Sequence, residues 1–223
     1  MCGRFSLTHP HQLELRFDVS AGELLEARYN VAPTQQIPVI VDGPTGRMLR
    51  SMRWGFQPAW AASDRTRPAP INARAETVAE KPLFRRALSY NRCLIPADGF
   101  FEWQAIAGQR TKQPFHIRLR DGALFGFAGL YTEQEGQGTV AILTTAPNAV
   151  VAPIHTRMPV ILGTDDEGLW LDHDVTSAAP LQHLLRPYQA SLMEAYPVAS
   201  LVSSVRNDGP DIVRPLVSAS RLL

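Results

Sequence analysis

Apolar and polar positions alternate over short stretches along most of the chain, and this period predicts strands more often than helices. Residues 37–41 and 48–54 read as two strands around the turn Asp42-Gly43-Pro44. Between residues 115 and 130, Phe115, Ile117 and Leu119 alternate with His116, Arg118 and Arg120, and Asp121-Gly122 has type I′ chemistry, so a hairpin is expected. A strand over residues 139–144 follows, and residues 93–103 read as a strand, a turn and a second strand. Residues 11–17 are ambiguous: Leu13, Leu15 and Phe17 alternate, yet Thr8-His9-Pro10 is a helix start, and a helix is expected. Further helices are expected over residues 73–79 and 83–88, after the capping box Thr164-Asp165-Asp166-Glu167, and near residues 180–185. The sum is an α+β fold: a single domain over residues 1–223, with a mainly antiparallel, barrel-like β-sheet core and peripheral short helices.

Composition narrows the class. With 223 residues, 45% of them hydrophobic and 19% charged, the chain can bury a sizeable core, and its 18 prolines and 15 glycines are spread without marking a linker. There is no signal-peptide core, and no apolar run approaches the ~20 residues of a membrane span, so a cytoplasmic protein with no membrane partner is expected. Cys2 and Cys93 are the only cysteines and neither has metal-ligand spacing, so neither a disulfide framework nor a metal nor another cofactor is expected. A net charge of +1 leaves any polyanion to a local patch. Of the 22 basic residues only Lys81 and Lys112 are lysines, and arginine is the better fork for phosphate.

The candidate chemistry begins at Met1-Cys2-Gly3-Arg4-Phe5. Removing Met1 would expose a 1,2-aminothiol, whose amine titrates near ~8 and whose thiol titrates near ~8.5. Such a group captures an aldehyde twice, as an imine and then as a five-membered thiazolidine. Four polar clusters lie further along. Asn72 precedes Ala73-Arg74-Ala75-Glu76-Thr77, where capping a helix is its ordinary role. Glu102 sits between Phe101 and Trp103; turned inward, it would have a raised pKa suited to acid catalysis, and turned outward it would be a solvated surface carboxylate. His155 is framed by Pro153 and Pro159 in a fixed loop, an acid–base candidate. The run from Met52 to Trp60 offers aromatics for a core or for stacking bases.

In order along the chain, Cys2-Gly3-Arg4, Tyr29-Asn30-Val31-Ala32-Pro33-Thr34, Trp54-Gly55 with Pro58 and Trp60, residues 72–77, residues 93–103 and His155-Thr156-Arg157-Met158-Pro159 resemble the SOS-response-associated peptidase (SRAP) family. Phe101 stands where many members have tyrosine, and Ser203-Ser204 stand where members often carry asparagine or glycine. The resemblance implies a protein that shields abasic sites in single-stranded DNA by a covalent crosslink. It assigns Cys2 as nucleophile, Asn72 as the residue holding the Cys2 terminus, Glu102 as proton shuttle, and His155 as the group acting on the imine or ring oxygen. It also implies Met1 removal and secondary strand cleavage by β-elimination.

For DNA, the resemblance points to Arg4, Asn30, Arg74 and Arg157 as polar contacts, with Arg85 and Arg86 as weaker candidates. Pro33, Trp54 and Met158 are expected as apolar surfaces against bases, favouring a single strand or a strand–duplex junction bound by a monomer. Two other readings stay open from the residues alone: an N-terminal-nucleophile cysteine hydrolase, and a non-catalytic reader of single-stranded or modified DNA. Cys2→Ala separates them, because a pure reader would not need the thiol.

Overall fold

Two β-layers face each other because their strands are apolar on alternate positions or on both. The computed structural model describes residues 2–20, 25–58, 60 and 68–216. Along the chain these fold as β1 (Phe5–Leu7), α1 (Leu13–Phe17), β2 (Arg28–Val31), β3 (Gln36–Gly43), β4 (Gly46–Trp54), β5 (Asn72–Arg74), α2 (Pro82–Tyr90), β6 (Arg92–Ala97) and β7 (Gly99–Ala105). There follow β8 (Lys112–Leu119), β9 (Phe125–Gln134), β10 (Gln137–Thr145), β11 (Met158–Pro159), β12 (Ile161–Leu162), α3 (Thr164–Leu171) and β13 (Met193–Pro197).

One sheet has the order β13-β8-β7-β1-β2. In the other, β10, β4, β3, β6 and β9 form a closed ring, since β9 also pairs β10, while β5, β11 and β12 extend it. All ring pairings are antiparallel except β10 with β4. Closure removes free edges. The expected barrel-like α+β architecture is therefore present.

The parity of the strands explains the apolar runs. Val39, Ile95, Phe127 and Ile142 pack with Phe5, Phe100 and Ile117 of the other sheet, so this core lies between the two layers. Their neighbours Ile40, Leu94, Ala128 and Ala141 face the opposite way, under Phe17 of α1, Phe84 of α2 and Trp170 of α3. Strands buried on both faces read as continuous apolar segments such as Cys93-Leu94-Ile95. The far face of the five-stranded sheet carries Phe101, covered by Val198, Val202 and Ile212 of the C-terminal segment.

Several expectations hold: α1, α2 and α3 lie where helices were expected, β3 and β4 form a hairpin, and residues 179–184 form a 3-10 helix. Three are corrected. Residues 115–130 are not a hairpin: β8 pairs β7 and β13, whereas β9 pairs β6, β10 and β12. A turn is present, with Gly122 at φ 72 and its N–H donating to Leu119 O, but it is not type I′, since Asp121 does not have a positive φ, and it hands the chain from one sheet to the other. Residues 73–79 are not a helix, because residues 72–74 pair parallel to β10 as β5 and residues 75–80 turn back towards α2. Asn72 is thus a strand residue and not a helix cap. At α3 the N-cap is Gly163 without a side-chain bond, so Thr164 begins the helix instead of capping it.

Candidate active site and its DNA-facing residues

Cys2 leads directly into β1 and is completely buried in the core between the sheets. Its thiol donates weakly to Arg4 O at 3.8 Å. Burial, and secondly the charge of Glu102, push the thiol pKa far above its ordinary value. The thiolate is scarce here, so the sulfur must act as a thiol that loses its proton during attack.

Glu102 follows Phe100 by two on β7, which turns its side chain to the same face as Phe100 and towards that core. Its carboxyl is 3% exposed, and burial raises its pKa to about 7. His155 stands opposite, with Nε2 3.8 Å from Glu102 Oε2. The His155 loop is wound by bonds from Val151 N and Ala152 N to Asn148 O and from His155 N to Val151 O. Asn148 Oδ1 also accepts from Val150 and Val151 N–H, a side-chain turn that fixes the loop's root. His155 Nδ1 meets both the N–H of Arg157 at 3.1 Å and its carbonyl at 3.2 Å, so either neutral tautomer finds a partner. Burial lowers the His155 pKa. A carboxyl raised and an imidazole lowered bring the two proton affinities together, the condition for passing a proton between them.

Asn72 comes to this region from β5 through pairing with Ile142 of β10. Its Nδ2 reaches Ile142 O at 3.5 Å, and its buried Oδ1 has no hydrogen-bond partner among the described residues. A buried acceptor without a protein partner is costly, so its retention calls for an explanation.

The expected DNA contacts divide. Arg74 is exposed at the end of β5; its side chain makes no hydrogen bond or ion pair among the described residues, though its charge helps to lower the Glu76 pKa. Arg157 is forked onto Glu76 at 2.6 and 2.9 Å and onto Thr144, so its charge is already engaged. Arg4 is half-buried and donates to Asn30 Oδ1 at 2.8 Å and Val202 O at 2.6 Å. Arg85 and Arg86 are exposed on α2, and Pro33 is half-buried in the turn after β2.

Three expectations are corrected by burial. Trp54 and Met158 are completely buried, with Trp54 Nε1 bonded to Ile71 O and Met158 Sδ accepting from Asn148 N–H; neither offers a face to a base. Asn30 is also completely buried, and its Nδ2 donates to the carbonyls of Val202, Ser204 and Asn207. It clasps the C-terminal segment and leaves no atom for DNA. Sequence reasoning gave no role to Glu76, Asn148 or Gln104; a proline-framed histidine loop that opens with an Asn was the one available signal, for Asn148. Among the described residues no group of three or more His, Cys, Asp or Glu could hold a metal, and no helix is long and apolar enough to cross a membrane.

A closed, mainly antiparallel ring of strands beside a second sheet, with an N-terminal cysteine, a buried carboxyl and a loop histidine at one core, defines a recognisable class. The family model described as SOS response associated peptidase (SRAP) matches residues 1–205, and the chain belongs to that family. It is 45% identical over 223 residues to the abasic site processing protein YoaM of Bacillus subtilis, covering 96% of this chain and 97% of that one. It is 27% identical to the abasic site processing protein YedK of Escherichia coli, covering 97% of this chain and 100% of that one. A crystal structure of a protein from Bacteroides thetaiotaomicron matches with TM-score 0.85 and 28% identity, covering 97% of this chain and 100% of that one.

Proposed function

We propose that this protein processes abasic sites in DNA by capturing the ring-opened deoxyribose on Cys2 as a thiazolidine, shielding the lesion in a covalent crosslink. The observation that carries the reading is the buried Glu102 carboxyl, with a pKa near 7, facing His155 at 3.8 Å beside the core that holds Cys2. The names of the curated relatives support the substrate class.

The chemistry needs Met1 removed, because until then the Cys2 nitrogen is an amide and not an amine. Met1 itself lies outside the described residues. Protonated Glu102 gives its proton to the ring oxygen of the closed sugar while His155 takes the anomeric hydroxyl proton, opening the sugar to the aldehyde, and His155 then passes that proton to Glu102 to restore the acid. The Cys2 amine adds to the carbonyl carbon, and Glu102 protonates the departing hydroxyl as water to leave the iminium. The Cys2 sulfur then adds to the iminium carbon and its thiol proton passes to Glu102 or His155. The balance is one aldehyde and one aminothiol giving one thiazolidine and one water. Asn72 Oδ1 holds the Cys2 amine in line for attack. β-Elimination from the iminium gives a secondary lyase activity. The partner is single-stranded or junction DNA held locally by Arg74 and Arg4, since a net charge of +1 gives little overall attraction, with the protein acting as a monomer over residues 1–223 in the cytoplasm.

The test is mass spectrometry of Met-less protein mixed with a single-stranded oligonucleotide bearing one abasic site, beside an intact strand and the Cys2→Ala protein. A denaturant-stable adduct on the N-terminal peptide, formed only by native Cys2 with the abasic strand, is expected. No adduct from verified Met-less protein would overturn the reading.

A further inference from the structure

Glu102 and Gln104 are two residues apart on β7, and in a strand that spacing sets both side chains on one face. Gln104 Nε2 donates to the carbonyl of Pro153 at 2.9 Å. Pro153 in turn precedes by two the histidine that meets Glu102 at 3.8 Å. Strand, strut, loop and acid–base pair thus form a small closed circuit.

The other bonds of the loop do different work. Asn148 fixes its root, with Nδ2 donating to Tyr188 O at 2.8 Å and Oδ1 accepting the next turn's N–H groups. The bonds among residues 148–155 fix its winding. Neither set ties the loop to β7. Pro153 has no N–H to donate and its ring fixes φ, so the carbonyl is the one backbone hydrogen-bonding group it offers to Gln104. Its own exposure means that a loop released at this point has water to move into.

We propose that Gln104 is a positioning residue that holds His155 against Glu102 by fastening the Pro153 carbonyl to β7. This rests on the reading of Glu102 and His155 as the acid–base pair of abasic-site capture. A slack of about an ångström at such a pair costs up to roughly a hundredfold in rate. Gln104 touches neither substrate nor the reacting atoms; its effect passes through His155.

The experiment compares native protein with Gln104→Leu, which keeps the bulk and loses the donor, in native and His155→Ala backgrounds. Two quantities are read: the single-turnover rate of adduct formation with the abasic strand, and the NMR titration of the His155 ring. The groups acting on that ring are Glu102 from β7, the chain's terminal amine, Lys112 from β8 and the Arg157 backbone. Gln104→Leu should slow capture roughly tenfold, leave affinity for an intact strand and the melting temperature unchanged, and move the His155 midpoint upward as the ring gains water. Added to His155→Ala it should cost nothing more, since both changes break one unit. A full further loss in the His155→Ala background, or a Gln104→Leu protein with native rate and native titration, overturns the proposal. If native protein forms no adduct, the capture reading fails and the titration alone decides the strut: a shifted midpoint sustains it and an unshifted one removes it.

Discussion

The guanidinium of Arg157 is forked onto the carboxylate of Glu76, with Nη1 and Nη2 2.6 and 2.9 Å from its two oxygens, and it also reaches the Thr144 carbonyl. The pair keeps the Glu76 carboxyl below its ordinary pKa, chiefly through the hydrogen bond from Arg157. A residue expected to grip phosphate is therefore answered by an acid, whose charge the exposed Arg74 nearby also senses. Glu76→Gln should tighten binding to an intact single strand and steepen its log–log salt slope by about 0.7, the worth of one further phosphate contact. Arg74→Ala should weaken binding and flatten the slope by about the same amount. Salt titrations by fluorescence anisotropy read both, and a Glu76→Gln slope equal to native would show that Arg157 stays off the DNA.

Asn30 joins three carbonyls of residues 202, 204 and 207 to the Arg4 guanidinium, all through one buried amide. Asn30→Ala leaves the Ser204 and Asn207 carbonyls without their donor, while Val202 O keeps the Arg4 guanidinium, and each stranded buried partner costs about 1–3 kcal/mol. A loss of about 3–5 kcal/mol in unfolding free energy is expected, with faster hydrogen exchange across residues 198–213 before other regions. Normal stability with only weakened DNA binding would restore Asn30 to the DNA contacts and remove the clasp.

Gly99 lies opposite Ser6 on β1, and a Cβ added there would fall on His116 Nε2. That nitrogen meets Ser6 Oγ at 3.0 Å, Ser6 donates to Asp98 at 2.7 Å, and His116 Nδ1 meets the Tyr196 hydroxyl at 2.9 Å. Gly99→Ala should therefore cost about 1–3 kcal/mol by overpacking, and the cost should largely vanish in a His116→Ala background where the ring is gone. Denaturant titration of the four proteins forms the cycle, and additive losses would place the clash elsewhere.

Asn72 loses little to the fold when truncated, since its one bond is long and its Oδ1 is unpartnered within the described residues. Asn72→Ala should stay within about 0.5 kcal/mol of native stability while slowing adduct formation roughly ten- to hundredfold. Rapid-quench kinetics beside thermal melts separate the two effects; native capture by Asn72→Ala would leave the orphan oxygen without a role.

The strand periods, the β3–β4 hairpin and helices α1, α2 and α3 were legible because each is set by local spacing, whereas residues 73–79, read as a helix, are drawn into strand pairing with β10. What sequence could not show was which sheet receives a strand. Residues 115–119 alternate and end at a proper turn, yet β8 is taken by β7 and β13 while β9, apolar on both faces, needs the ring. The candidate site was legible as residue types in order, but burial was not. Trp54, Met158 and Asn30 look alike in sequence whether they face a base or a core, and only packing across elements decided them. Pairs such as Arg157 with Glu76 and Gln104 with Pro153 join distant parts of the chain through tertiary geometry, which no local spacing encodes.

Glu102 and His116 pull the acid stability of the fold in opposite senses. Burial raises the Glu102 pKa from 4.5 to about 7, so the folded state holds that proton more tightly than the unfolded one, and its contribution falls as pH rises from about 4.5 to about 7. Burial lowers the His116 pKa from 6.5 to about 4, so its contribution falls as pH drops across about 6.5 to about 4. In native protein the two slopes oppose each other over the shared window. Glu102→Gln removes one of them: its melting temperature should match native near pH 4.5 and rise above it progressively to pH 7 and beyond, where native protein must hold a buried carboxylate. The same variant should lose capture activity most severely below pH 7, where native Glu102 carries the proton that opens the sugar. Melts and capture rates across pH 4.5–8 measure both, and a Glu102→Gln stability difference that is flat with pH would show that the carboxyl titrates as an ordinary surface acid.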